Sequence, residues 1–145
     1  MQNILHIAHI LKQKEIYLRH KNQMIVNCKE NDLIYKNQLG AKILIAEKRR
    51  KSVVDVDGIT HISCDAYLST VYTVDNKQYV VAKLLKKFEI ELAQFGFIRA
   101  NHNTIVNPIH IIEINSSPIR KLLLINQFVV KISRRKLYLF KSFQK

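Results

Sequence analysis

Beyond Glu113 the chain carries Arg120, Lys121, Lys131, Arg134, Arg135, Lys136, Lys141 and Lys145 and no acidic residue. Over all 145 residues, 24 Lys and Arg face 11 Asp and Glu, a formal net charge of +13. The chemistry open to such a surface is neutralisation of a polyanion. Each Lys or Arg brought to a phosphate releases a condensed counterion, which puts nucleic acid first. An acidic protein partner or an anionic membrane surface is the alternative. RNA ranks lower, because no pair of aromatics at alternating strand positions offers a stacking platform.

Catalytic chemistry finds no comparable cluster. Gly40, Gly58 and Gly96 stand too far apart to cradle a phosphate. His6, His9, His20, His61, His102 and His110 form no HxH or HExxH arrangement, so no metal site is expected. Cys28 and Cys64 belong to no CxxC pair and are expected as reduced thiols. The expectation is therefore no enzyme, no cofactor and no small-molecule substrate. Residues 4–11 (ILHIAHIL) are apolar but too short to cross a bilayer and lack a basic leader. No transmembrane segment and a cytoplasmic location follow as expectations.

Whatever the basic residues bind, a folded scaffold must position them. The composition, 48% hydrophobic and 24% charged, is that of a globular domain. From Gly40 onward the pattern is short strands with turns between them. Residues 41–47 (AKILIAE) and 52–56 (SVVDV) flank the basic turn 48–51. Asp57-Gly58 reads as a hairpin turn before residues 59–63, and Asp75-Asn76 turns residues 66–74 (AYLSTVYTV) back into 77–82 (KQYVVA). The period then changes: Leu85, Phe88, Leu92 and Phe95 recur at helical spacing, predicting one amphipathic helix over residues 83–94 that stops at Gly96. Residues 97–100, 109–114, 122–125 and 128–132 read as strands again, with Asn126-Gln127 at a tight turn and a short basic helix over 134–143. The expected class is mainly β: short sheets, one internal helix and a short C-terminal one. In the first 39 residues, Ile4, Ile7, Ala8 and Leu11 suggest a helix, whereas residues 15–27 fit a hairpin equally well.

Two segments carry a resemblance to a known family: FIRANHNTIVNPIHIIEI at residues 97–114 and KISRRK at 131–136. They are similar to the two signatures of LytTR-type DNA-binding domains. One is an aromatic, a basic residue, a polar run and an Ile/Val-Val-Asn close; the other is a later strand ending in Ser-Arg-Arg. Residues 59–72 (ITHISCDAYLSTVY) and 79–92 (YVVAKLLKKFEIEL) match the family's preceding strands and helix, in order and spacing. The resemblance implies a mostly β-fold without a helix-turn-helix, whose loops enter successive major grooves of duplex DNA in transcriptional regulation. The chain departs from the family at Ser63, where many members have Glu, and at Ala66-Tyr67, where a Gly-Asn pair is usual. The family's Arg-Val-His-Arg/Lys-Ser run becomes Arg99-Ala100-Asn101-His102-Asn103.

Carried over residue by residue, the resemblance assigns a DNA contact before the second signature strand to Tyr67 or Ser69. It assigns another to His102 with its flanks Asn101 and Asn103, and a third to Arg134 beside Arg135 and Lys136. Asn pairs bidentately with adenine and Arg with guanine, while Lys and the remaining Arg neutralise phosphates. Arg99 is either a phosphate contact or a structural ion pair, Asn107 caps a turn, and Ser133 caps the final helix. The expected division is an N-terminal extension over residues 1–39, helical in part and used for packing or dimerisation, and a LytTR-type domain over 40–145. With 39 residues ahead of it, no receiver domain is expected. Constitutive binding, dimerisation through the N-terminal segment or capture by a regulatory protein partner are the expected alternatives.

Overall fold

A computed structural model describes residues 25–29, 32–37 and 40–143, with side chains from Gly40 onward. The expected helix around Ile4 and Leu11 lies outside the described residues. The chain divides into two compact units, Met1–Asp57 and Gly58–Lys145.

The first unit holds a four-stranded antiparallel sheet in sequential order: β1 (Ile25–Lys29), β2 (Asp32–Asn37), β3 (Gly40–Ala46) and β4 (Lys51–Asp55). The sheet spans Gly40, where the domain was expected to begin. β2 pairs with β3 from Ile34↔Ile43 to Asn37↔Gly40, so the sheet runs through that position. The physical reason is edge pairing: β3 alone would leave a row of free N–H and C=O groups, which the β1–β2 hairpin satisfies. In β3, Ile43, Leu44 and Ile45 are all buried, so the strand is covered on both faces.

Asp57-Gly58 does not turn a hairpin. Val56–Gly58 forms a 3-10 turn, β4 pairs back to β3, and the next strand opens a second sheet. Val56 and Ile59 on either side are fully buried.

The second unit is built on a five-stranded antiparallel sheet in the order β7-β6-β5-β9-β8. Its strands are β5 (Ile59–Asp65), β6 (Leu68–Thr73), β7 (Gln78–Val81), β8 (Ile98–Asn101) and β9 (Thr104–Val106). β9 lies between two expected strands and had no signal of its own, because three residues are too few to show a period of two. A three-stranded sheet follows, β10 (Ile111–Asn115), β11 (Lys121–Leu124) and β12 (Val129–Lys131), also in sequential order. Gln127, at φ 68, makes the turn expected between β11 and β12.

The predicted helix is α1 (Leu85–Leu92), extended by a 3-10 turn at Ala93–Phe95. Gly96 at φ 83 ends it in the left-handed region, as its lack of a Cβ allows. Leu85, Phe88 and Leu92 are buried and α1 lies against β5 and β9. A second core, formed by Ala100, Val106, Leu122, Leu124, Val130, Ile132 and Phe140, joins β8 and β9 to the three-stranded sheet. Phe140 belongs to a C-terminal 3-10 helix, Arg134–Phe143, where the short basic helix was expected.

Candidate nucleic-acid interface

Strand register sets where the polar segments lie. Ser63 of β5 faces Thr104 of β9, so the β8–β9 turn, His102-Asn103, sits at the C-terminal end of β5. Asp65 pairs with Leu68, so the β5–β6 turn, Ala66-Tyr67, is at that same end. Cys64 N donates to Asn103 O at 2.8 Å and ties the two turns together. From the other side, Asn101 Nδ2 donates to Lys131 O at 2.7 Å and Ser133 N to Ala100 O at 2.9 Å. The start of the C-terminal 3-10 helix is thereby held beside the β8–β9 turn. One end of the sheet thus presents residues from all three expected segments.

Within that end, exposure separates displayed residues from supporting ones. Tyr67 is 72% exposed, and His102, Arg134 and Arg135 are exposed as well. Asn101, Asn103 and Lys136 are half-buried. Ser69 is a correction: it is fully buried and its hydroxyl donates to Lys83 O at 2.5 Å, so it has no surface to offer. The two-residue turn explains this, since Ser69 is already paired inside the strand opposite Cys64 and points away from solvent.

Arg99 resolves toward structure. Its guanidinium donates Nη1 to Glu89 Oε2 of α1 at 2.8 Å, Nε to Asn101 O at 3.1 Å, and Nη2 to His102 O. One planar group therefore anchors two carbonyls of the turn to the helix. Asn101 completes the brace, its Oδ1 accepting from Asn103 N at 2.9 Å while its Nδ2 reaches Lys131. Asn103 Oδ1 in turn accepts from Thr104 Oγ1 at 3.2 Å. His102 is left as the displayed side chain of a turn whose backbone is fixed on both sides. Asn107 caps as expected, accepting from Ile109 N and donating to Ile59 O at 3.1 Å.

Sequence reasoning missed His61, which locks the platform from behind. Its ring stacks on Tyr72 of β6 at 4.2 Å and an interplanar angle of 5°, and Phe128 from the β11–β12 turn leans on it at 4.5 Å. Thr60 Oγ1 lies 3.0 Å from Nδ1, donates to Tyr72 O and accepts from Asn126 Nδ2. That pattern assigns the proton to Nδ1 and leaves Nε2, buried without a partner, as a bare acceptor. Desolvation pushes the imidazole pKa down from 6.5 to about 4. Nothing in the spacing of histidines reveals this, and β5, ITHISCD, mixes polar and apolar residues too evenly to mark one of them. Among the described residues no group of His, Cys, Asp and Glu is arranged to hold a metal. No helix among them is long and apolar enough to cross a membrane.

The LytTr DNA-binding domain family model matches residues 49–145. The chain belongs to the LytTR family. Among solved structures, a LytTr DNA-binding domain from Bacillus cereus is similar, with a TM-score of 0.61 and 19% identity. The match covers 70% of this chain and 94% of that one, and it extends the likeness to the fold. No curated protein sequence matches. The LytTR match includes both signature segments and both sheets of the second unit, and it also takes in β4 from the first. LytTR is a DNA-binding family, not an enzyme family, and the three segments at one end of the sheet lie within it.

Proposed function

We propose that this LytTR chain binds duplex DNA sequence-specifically and regulates transcription. In this reading Tyr67, His102 with Asn103, and Arg134 reach base edges, while Arg135 and Lys136 contact phosphates. The observation that carries it is convergence: the β5–β6 turn, the β8–β9 turn and the first residues of the C-terminal 3-10 helix share one end of a rigid sheet. Side chains held on such elements enter neighbouring major grooves with their geometry set in advance, and the basic tail supplies the sequence-independent attraction. Arg99 and Asn101 move from contact residues to positioning residues, because their polar atoms are committed inside the protein. A cytoplasmic location and control through residues 1–39, by a homodimer or a regulatory protein, belong to the same proposal.

The test is selection of binding sites from random duplexes, followed by preference matrices for Arg134→Ala and His102→Ala. Each should relax one base position, different for the two, and Arg134→Ala should cost about 1–3 kcal/mol on the selected site. Uniformly weaker binding with unchanged preferences would show that both residues only hold the backbone.

A further inference from the structure

We propose that Lys121 and Lys131 form a phosphate clamp, a paired cationic site on the outer face of the three-stranded sheet that holds the DNA backbone beside the reading turns. It rests on the DNA-binding reading above and adds a contact that neither the family match nor the signature residues assign. The two lysines stand directly opposite each other in the antiparallel β11–β12 pair, Lys121↔Lys131, flanked by Leu122↔Val130. Leu122 and Val130 are buried while both lysines are exposed, so strand alternation puts the two ammonium groups on the outer face together.

Like charges directly opposite on adjacent strands repel and destabilise the pair. Among the described residues no ion pair relieves that repulsion. Across β10, Lys121 faces the neutral Asn115. Glu113 is two pairs further along the strand, on the same face as Lys121, and its carboxylate accepts from Asn115 Nδ2 at 2.9 Å instead of pairing with either lysine. Among the described residues neither lysine enters an ion pair. An anion between or beside the two ammonium groups would remove the repulsion and gain both charges.

The position of the pair selects that anion. Lys131 O accepts from Asn101 Nδ2 at 2.7 Å, so the clamp borders the β8–β9 turn. Two residues further on, Ser133 N bonds to Ala100 O, and Arg134 follows. A duplex whose bases lie against His102 and Arg134 carries its phosphodiester chain past this border, where two lysine stems reach successive phosphates or straddle one. The ligand is the DNA phosphate backbone, recognised without regard to sequence.

The experiment uses the full chain with Lys121→Gln, Lys131→Gln and the double variant. Affinity is measured on a selected duplex and on an unrelated duplex across a range of salt, and thermal unfolding is measured without DNA. Each single variant should lower the slope of log affinity against log salt by about 0.9. It should weaken both duplexes by the same factor, with the larger loss at low salt, and leave the base preference unchanged. The melting temperature of each variant should be equal to or above that of the parent, because a like-charge pair has been removed. Unchanged slopes in all three variants, with the parent still binding in a salt-dependent way, would overturn the clamp and leave the DNA reading intact. Altered base preference with an unchanged slope would make the lysines readers and equally overturn it. A parent chain that binds no duplex at all would remove the reading and the clamp together.

Discussion

Acid should loosen the second unit through a single side chain. The buried His61 imidazole has its pKa pushed down from 6.5 to about 4, and in the unfolded chain it returns to about 6.5. Between those values the unfolded state takes up a proton that the folded state refuses. His61 therefore contributes no loss of stability above pH 6.5, an increasing loss as pH falls toward 4, and a constant loss below that. Each pKa unit corresponds to about 1.4 kcal/mol, so the full penalty is about 3 kcal/mol, most of it in place by about pH 4.5. Against a usual total of about 5–15 kcal/mol that is a large fraction. The cause is desolvation: the ring is buried against Tyr72 and Phe128, and Nε2 has no hydrogen-bond partner.

The assay is urea unfolding followed by circular dichroism at pH 7 and at about pH 4.5, for the parent and for His61→Phe. Phenylalanine keeps an aromatic face against Tyr72 and cannot titrate. It loses the Thr60 bond at both pH values, so that loss cancels in the comparison. The parent should lose about 2–3 kcal/mol more than the variant between the two conditions. In NMR the His61 ring resonances should stay constant from pH 8 to 5. Equal losses in the two proteins, or a His61 titration centred near its ordinary value, would refute the reasoning.

Arg99→Ala should weaken binding to the selected duplex through loss of the turn's shape, with the salt slope unchanged because no phosphate contact is lost; a slope reduced by about one would make Arg99 a phosphate ligand. At the buried Lys83–Glu91 pair, 2.5 Å apart and under 10% exposed, Glu91→Ala should cost about 3–5 kcal/mol in denaturant unfolding. The double variant Lys83→Met/Glu91→Leu should recover most of that loss, and failure to recover would mean that the pair is more than a matched charge. Two left-handed positions should respond with opposite signs: Ala66→Gly, at φ 54, should stabilise, and Gly96→Ala, at φ 83 with open space around the new methyl, should destabilise, each by about 1 kcal/mol. Calorimetry of the two variants checks the signs.

The parts of this molecule legible in the sequence are those governed by local pattern. Leu85, Phe88 and Leu92 repeat at helical spacing, and α1 forms with those residues inward. Asn126-Gln127 reads as a turn, and Gln127 takes the positive φ that such a turn demands. Pairing between distant segments leaves no such mark. Asp57-Gly58 has the composition of a hairpin turn, yet β5 pairs not with the preceding β4 but with β6 and with β9, which begins at Thr104. The sheet across Gly40 likewise depends on a preceding hairpin whose short strands, IVNCK and DLIYKN, carry little alternation. The burial of Ser69 has a related reason: position relative to a signature places a residue near a turn, but only the register decides on which side of the strand it falls.

The candidate site divides along the same line. The basic run Arg134 to Lys136 was legible from residue types, whereas Asn101, His102 and Asn103 were expected only through the LytTR resemblance. Whether a polar side chain faces outward or is used up inside is decided by hydrogen bonds to backbone that composition cannot report. Arg99 and Arg134 are identical in type, and Arg134 is exposed whereas Arg99 spends all three of its donor nitrogens on Glu89 and the turn carbonyls. An arginine consumed in this way still serves recognition, because a displayed residue discriminates between bases only when its backbone does not yield. By register Arg99 lies on the face of Ile62 and Ile105, toward α1, whereas Asn101 lies on the face of Ser63 and His61, so the turn that presents His102 is braced from both faces of one sheet. Softening either face should therefore blur base preference before it lowers non-specific affinity, which depends on charges that neither face supplies.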